Sequence, residues 1–331
     1  IETPTSTLAA RAGLKTGYGL GNMATITEKS VFHGHNGSID GFMAIYNYEP
    51  LHRAGFVVMI NSLSNEALAA SSIITAYLER TWAIPQSVLQ PVPDSKSNLK
   101  INPTKLQAWG GFYDSIAPTA QWLAPLEQPI PTRVSIENGL LTFNSVQRKE
   151  SAPGLFQRPD HVVANIVFVQ SPDGPLMLSG SDARRRISSS ELIAKVSYAA
   201  VWILALLSSL ILIFLWIIAV IRRRLRGFSA LMVRFVPVAA MLLPVSFFIC
   251  LVVGLIDPVT QFGTESQVAR SLWVLSLLIP VGGAIALLVV WKFGREIRLS
   301  LRLFAWTNSL LNLTACIAFW HYGWLGLRIW L

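Results

Sequence analysis

A chain of 331 residues has room for two or three domains, and its mean hydropathy of +0.48 excludes a uniformly water-soluble protein. The net charge of +9 is unevenly shared: residues 1–197 carry 16 basic and 15 acidic side chains, and residues 198–331 carry 11 and 3. A near-neutral first part excludes a nucleic-acid face there, and the basic excess travels with the apolar runs that begin at Tyr198. The two cysteines, Cys250 and Cys316, both lie inside those runs and read as small buried hydrophobes. They give neither a disulfide framework nor a metal cluster.

Residues 1–84 read as strand and helix. Gly17-Tyr18-Gly19-Leu20-Gly21 opens a strand. Further on, Gly34-His35-Asn36-Gly37-Ser38 and Gly41-Phe42 stand just before alternating apolar residues, Phe42 to Tyr48. Gly55 to Asn61 supplies a second apolar strand, and the two make a hairpin. Asn61 to Asn65 is rich in helix-capping residues. A helix follows over Glu66 to Trp82, with Ala69, Ile73, Ala76 and Tyr77 at helical spacing. Pro85, Pro91 and Pro93 end it and begin a polar linker over 85–105.

The glycine-flanked histidine, the hairpin and the helix together resemble the last catalytic motif and closing elements of the serine β-lactamase and penicillin-binding-protein family. The match is to the class C β-lactamase and esterase branch, where His-x-Gly can stand in for Lys-Thr-Gly. It covers about a quarter of the chain. In that family a Ser-x-x-Lys motif supplies nucleophile and base, because a free hydroxyl is a weak nucleophile at neutral pH. A Tyr-x-Asn-type motif supplies a proton relay. The resemblance implies His35 at the Lys/His position, Asn36 in the middle, Gly37 as the glycine, and Ser38 offering its backbone N–H to the oxyanion, where developing charge is best stabilised. Glycine at 37 would let substrate lie close to the strand. His33 has no role the resemblance assigns.

Three other segments spell family motifs in the wrong place. Lys15-Thr16-Gly17 precedes the Tyr-Gly-Leu-Gly strand, so it stands out of order as a third motif. Ser97-Asn98-Leu99-Lys100 lies in the polar linker, after the third motif, whereas the family nucleophile comes far earlier on a buried helix start. Tyr46-Asn47-Tyr48 lacks Asn at its third position and reads as strand packing. One catalytic motif of three is therefore visible. The expectation is the C-terminal part of a longer hydrolase, inactive alone because nucleophile and base are absent from these 331 residues.

Residues 106–182 read as all-β. Trp109 to Tyr113 starts a strand, Arg133 to Glu137 alternates with period two, and Asn138-Gly139 is a strong tight-turn signal before Leu140 to Val146. His161 to Val169 and Leu176 to Ser179 flank the turn Pro172-Asp173-Gly174. This start and meander are similar to the small lipocalin-like domain appended to many such hydrolases; any small β-sandwich is the alternative. Arg184-Arg185-Arg186 and Lys195 fall in a juxtamembrane linker, 183–197.

Four apolar runs follow, at about Tyr198–Ile221, Phe235–Ile256, Leu272–Trp291 and Leu303–Tyr322. Each is long enough for a helix to cross a hydrocarbon core of about 30 Å. Arg222, Arg223, Arg224, Arg226 and Arg234 separate the first pair, and Lys292, Arg295, Arg298 and Arg302 the last pair. Those basic loops, 222–234 and 292–302, should be cytoplasmic and residues 1–197 extracytoplasmic. Arg184 to Arg186 oppose this only weakly. Asn308 and Asn312, four residues apart, are candidates for interhelical hydrogen bonds.

The expected fold class is α+β: the end of a β-lactamase-like antiparallel sheet and helix domain over 1–84, a small all-β lipocalin-like domain over 106–182, and four transmembrane helices over 198–331. The expected function is a membrane-anchored, extracytoplasmic serine hydrolase acting on an amide or ester: a β-lactam, a D-amino-acid peptide or a small ester. The bilayer is the other partner. No cofactor and no metal is implied, and no nucleic acid. The alternative is a non-catalytic cell-wall or partner-binding membrane protein with a degenerate hydrolase domain.

Overall fold

The computed structural model describes residues 7–39, 41–62, 66–82, 106–118, 130–180, 182–262 and 265–328. The linker over 85–105, with its Ser97-Asn98-Leu99-Lys100 segment, and the proposed cap residues 63–65 lie outside the described residues. The chain is α+β and divides into two compact units, one from the described residues up to Leu192 and one from Ile193 onward.

The first unit begins with a short helix, α1 (Leu8–Arg11), whose N-cap Thr7 accepts a hydrogen bond from the Ala10 amide. An antiparallel sheet of four strands follows in chain order: β1 (Met23–Ile26), β2 (Val31–Ile39), β3 (Phe42–Glu49) and β4 (Ala54–Ile60). Helix α2 (Glu66–Thr81) packs on β3 and β4, and Asn47 Nδ2 donates to Ser71 Oγ across that contact. Small residues govern the approach, since Ala67 and Ser71 are the buried side chains of α2. Here the structure departs from the sequence expectation. The stripe carrying Ile73 and Tyr77 faces outward, because the helix seats its small residues rather than its bulky ones.

Opposed residues on paired strands project to the same face. Ile45 and Val58, and Asn47 and Phe56, are opposed on the side covered by α2. Tyr46 and Val57, and Ala44 and Met59, are opposed on the other side, and Phe42, Tyr46, Val57 and Met59 are all exposed there. The sheet thus has one packed face and one apolar, uncovered face among the described residues.

The same unit holds a closed barrel of eight antiparallel strands: β5 (Gly111–Ser115), β6 (Thr132–Glu137), β7 (Leu140–Phe143), β8 (Val146–Ala152), β9 (Leu155–Gln157), β10 (Ile166–Ser171), β11 (Gly174–Ser179) and β12 (Asp182–Ile187). Each strand pairs with its sequence neighbour and β12 closes on β5. Asn138 and Gly139 both take positive φ, as the two-residue hairpin turn between β6 and β7 requires. Tyr113, Val134, Leu141, Phe156, Ile166, Phe168 and Met177 fill the interior. The buried Tyr113 hydroxyl donates to the Trp109 carbonyl at 2.8 Å, and burial pushes its pKa upward. The barrel extends beyond the expected limit of 182. Arg184 to Arg186, expected in a linker, lie in β12. Arg184 binds Asp182 and Thr132, and Arg186 donates to the Ala108 carbonyl.

Segments 8–17 and 27 bind the barrel's exterior. Leu14 is buried against Val167 and Leu178, Thr16 Oγ1 donates to the Ala164 carbonyl, and the Val162 amide donates to the Thr27 carbonyl. Thr16 of the Lys-Thr-Gly look-alike is thereby committed to packing.

The second unit is helical. Helix α3 (Ser189–Ile221) leads into it, and α4 (Phe228–Ile256), the short α5 (Pro258–Phe262), α6 (Gln267–Phe293) and α7 (Leu299–His321) follow. Four of these are long and apolar enough to cross a membrane: α3, α4, α6 with its 3₁₀ extension to Glu296, and α7. Ser209, Ser276, Asn308, Ser309 and Asn312 are buried among them. Ser209 donates to Asn308 Oδ1 at 3.1 Å, and Asn312 Nδ2 donates to the Ala240 carbonyl at 2.6 Å. That carbonyl lacks its usual helical partner because the residue four positions on is Pro244, which has no N–H. Gly283 makes room for the Asn312 side chain, since a Cβ there would stand 2.3 Å from Oδ1.

Candidate active site

Strand β2 runs further than β1. Their register pairs Ile26 with Val31 and ends at Met23 opposite Gly34. From His35 to Ile39, β2 pairs with β3 alone among the described residues, and its other edge is open. His35 is opposed to Tyr46, Gly37 to Ala44 and Ile39 to Phe42. All three therefore share the uncovered apolar face, whereas Asn36, opposed to Ile45, and Ser38, opposed to Met43, project toward the α2 side. The four sequence-predicted site residues lie consecutively on one open strand edge.

The His35 ring is held at both nitrogens. Nδ1 lies 2.5 Å from the Asn36 carbonyl and Nε2 lies 2.7 Å from the Tyr18 hydroxyl. A carbonyl only accepts, so Nδ1 carries a proton. In the neutral imidazole Nε2 then accepts from Tyr18. The two rings meet edge to face at 5.7 Å. Tyr18 arrives here because it bridges Met23 at the start of β1. The arrangement fixes one tautomer and points a phenol hydroxyl and an imidazole at the open edge together. Sequence reasoning placed Tyr18 in a strand and missed this partnership, since nothing in a separation of 17 residues signals it.

The glycines differ in what they do. A Cβ on Gly34 would lie 1.9 Å from the Tyr46 carbonyl oxygen and 2.6 Å from Asn47 Oδ1, so packing requires glycine there. A Cβ on Gly37 would meet no atom within 4 Å. Gly41 takes φ +74° in the turn between β2 and β3. His33, two residues from His35, is buried against Tyr48 with its Nδ1 unpartnered, and its ring does not share the open edge. Tyr46 belongs to the hairpin and donates to the Gly21 carbonyl. Among the described residues no three His, Cys, Asp or Glu side chains come together as a metal-holding group.

No family model matches the chain, and no curated protein matches it. Among solved structures, SurE with D-Leu is 20% identical at a TM-score of 0.26, over 56% of this chain and 42% of that one. A second SurE structure is 19% identical at 0.25, over 56% and 41%. The chain spans less than half the length of these proteins, and likeness at that TM-score carries no argument about fold or function.

Proposed function

We propose that His35 to Ser38 form one wall of an acyl-transfer pocket of the serine β-lactamase and penicillin-binding-protein kind, on a multi-pass membrane protein. One observation carries this reading: the histidine and Gly37 share an open strand edge whose exposed face is apolar and lies opposite α2. A catalytic layer bearing the nucleophile would dock on that face. The glycine contrast supports it, because packing explains Gly34 and leaves Gly37 free for a close-lying substrate. Along the edge, Ser38 would give its backbone N–H to the oxyanion; protonation of His35 at Nε2 would turn that nitrogen into a donor to the Tyr18 oxygen and free the phenol hydrogen for the leaving group. The up-and-down closed barrel of eight strands supports the finer reading of a lipocalin-like domain. The nine basic residues in and beside the turns that follow α3 and α6 support placing the site outside the cell.

The nucleophile and its base would have to come from outside these 331 residues. The product of the complete reading frame should carry Ser-x-x-Lys and Tyr-x-Asn ahead of Ile1 and form a stable adduct with a fluorescent penicillin or a fluorophosphonate. The 331-residue chain alone should form none. An adduct on this chain by itself, or a complete product without those motifs, contradicts the proposal.

A further inference from the structure

Where α3 turns into α4, the bundle has a groove of about 360 Å³ lined only by Ile217, Val220, Ile221, Leu231, Met232 and Phe235. Its floor is firm, because the buried Trp216 meets Phe235 edge to face at 5.8 Å and Phe304 at 6.0 Å. Immediately beyond Ile221 the chain places Arg222, Arg223, Arg224 and Arg226 on an exposed turn, shaped by positive φ at Arg223 and Gly227. Arg226 donates to the Arg223 carbonyl and Arg234 to the Ala230 carbonyl. No acidic residue occurs between Glu191 and Asp257. Phe228 meets Phe293 edge to face, so the turn after α6, with Lys292, Arg295 and Arg298, lies at the same end of the bundle.

Basic turns alone are what membrane topology demands. The groove adds something topology does not require: a wholly apolar slot at the same turn as an exposed cluster of guanidinium groups. We infer that this corner binds an acidic phospholipid, one acyl chain in the groove and the phosphate on the Arg222–Arg226 turn. Guanidinium suits phosphate through charge-assisted, forked hydrogen bonds, and basic pockets between spanning helices take anionic headgroups by the same chemistry. This inference rests on the four spans and is independent of the hydrolase proposal.

The full chain, purified in detergent, is titrated with phosphatidylglycerol, with phosphatidylcholine of the same acyl chains, and with soluble glycerol 3-phosphate, and bound lipid is counted by native mass spectrometry. Phosphatidylglycerol should be retained at one copy and the other two should not. R222Q/R223Q/R224Q should weaken retention by more than about tenfold, and Leu231→Trp, which fills the groove, should also displace the lipid. K292Q/R295Q/R298Q, at the same end, should change little. Equal retention of both lipids, indifference to the arginine or groove variants, or equal loss from both basic turns overturns the inference. Binding of glycerol 3-phosphate alone would show a soluble phosphate site and overturn it as well.

Discussion

At residue scale, Gly34 and Gly37 look equivalent in sequence and differ in what surrounds them. Gly34→Ala drives a methyl group into the Tyr46 carbonyl oxygen, which the pleat cannot yield without breaking β2–β3 pairing. It should destabilise by about 3 kcal/mol or more. Gly37→Ala meets open space and should leave the thermal midpoint unchanged. Differential scanning fluorimetry of the chain in detergent separates them, and equal losses would mean Gly37 is also a packing residue. Tyr18 shows where reading residues one at a time runs out. Its Tyr-Gly-Leu-Gly setting reads as opening a strand, whereas Tyr18 makes only an isolated bridge to Met23 ahead of β1, and its hydroxyl reaches His35 only through the fold back across β1 and β2.

At element scale, the polar seam of the bundle makes a sharper test. Asn312 serves a carbonyl orphaned by Pro244. Asn312→Ala should cost about 1 kcal/mol, measured by denaturant unfolding in mixed micelles. In a Pro244→Ala background, where the helix restores its own bond to Ala240, the cost should shrink to the cavity left by the lost side chain. The cycle isolates that coupling, and equal costs in both backgrounds would refute it. The i, i+4 spacing of Asn308 and Asn312 made such bonding legible; the proline partner was not, because it lies on another helix. Span existence was legible from apolar length alone. Span limits were not: α3 starts at Ser189 and α6 at Gln267, because a helix continues into polar residues where hydropathy falls. In the barrel, alternation and Asn138-Gly139 were legible. Strand β12 was not, because arginines carry its period: Arg184 and Arg186 share a face with Tyr113, and charged residues conceal the alternation a strand is read from. The turn at Asn144 and Ser145 was silent for a related reason, since positive φ at serine is not a propensity signal.

At the scale of the whole molecule, the charge distribution makes a directional prediction. With Cys250 and Cys316 replaced, a single cysteine at the exposed Asp173 should react with an impermeant thiol reagent on intact cells. One at Arg226 should react only after permeabilisation. The reverse pattern would place the barrel and the candidate site in the cytoplasm. Closure of the eight-stranded barrel could not be read from the chain, since no local pattern says that its last strand returns to its first. The uncovered sheet face was equally hidden, because a strand's alternation shows that it has two faces and not which of them is covered.

We propose that the His35–Ser38 edge lines an acylation pocket. The most direct test is the rate of covalent labelling by a fluorescent penicillin or fluorophosphonate, measured on the product of the complete reading frame and on its His35→Ala and Gly37→Val variants. Each variant should label about 100-fold more slowly with an unchanged thermal midpoint. Labelling of both variants at the unmodified rate would contradict the account.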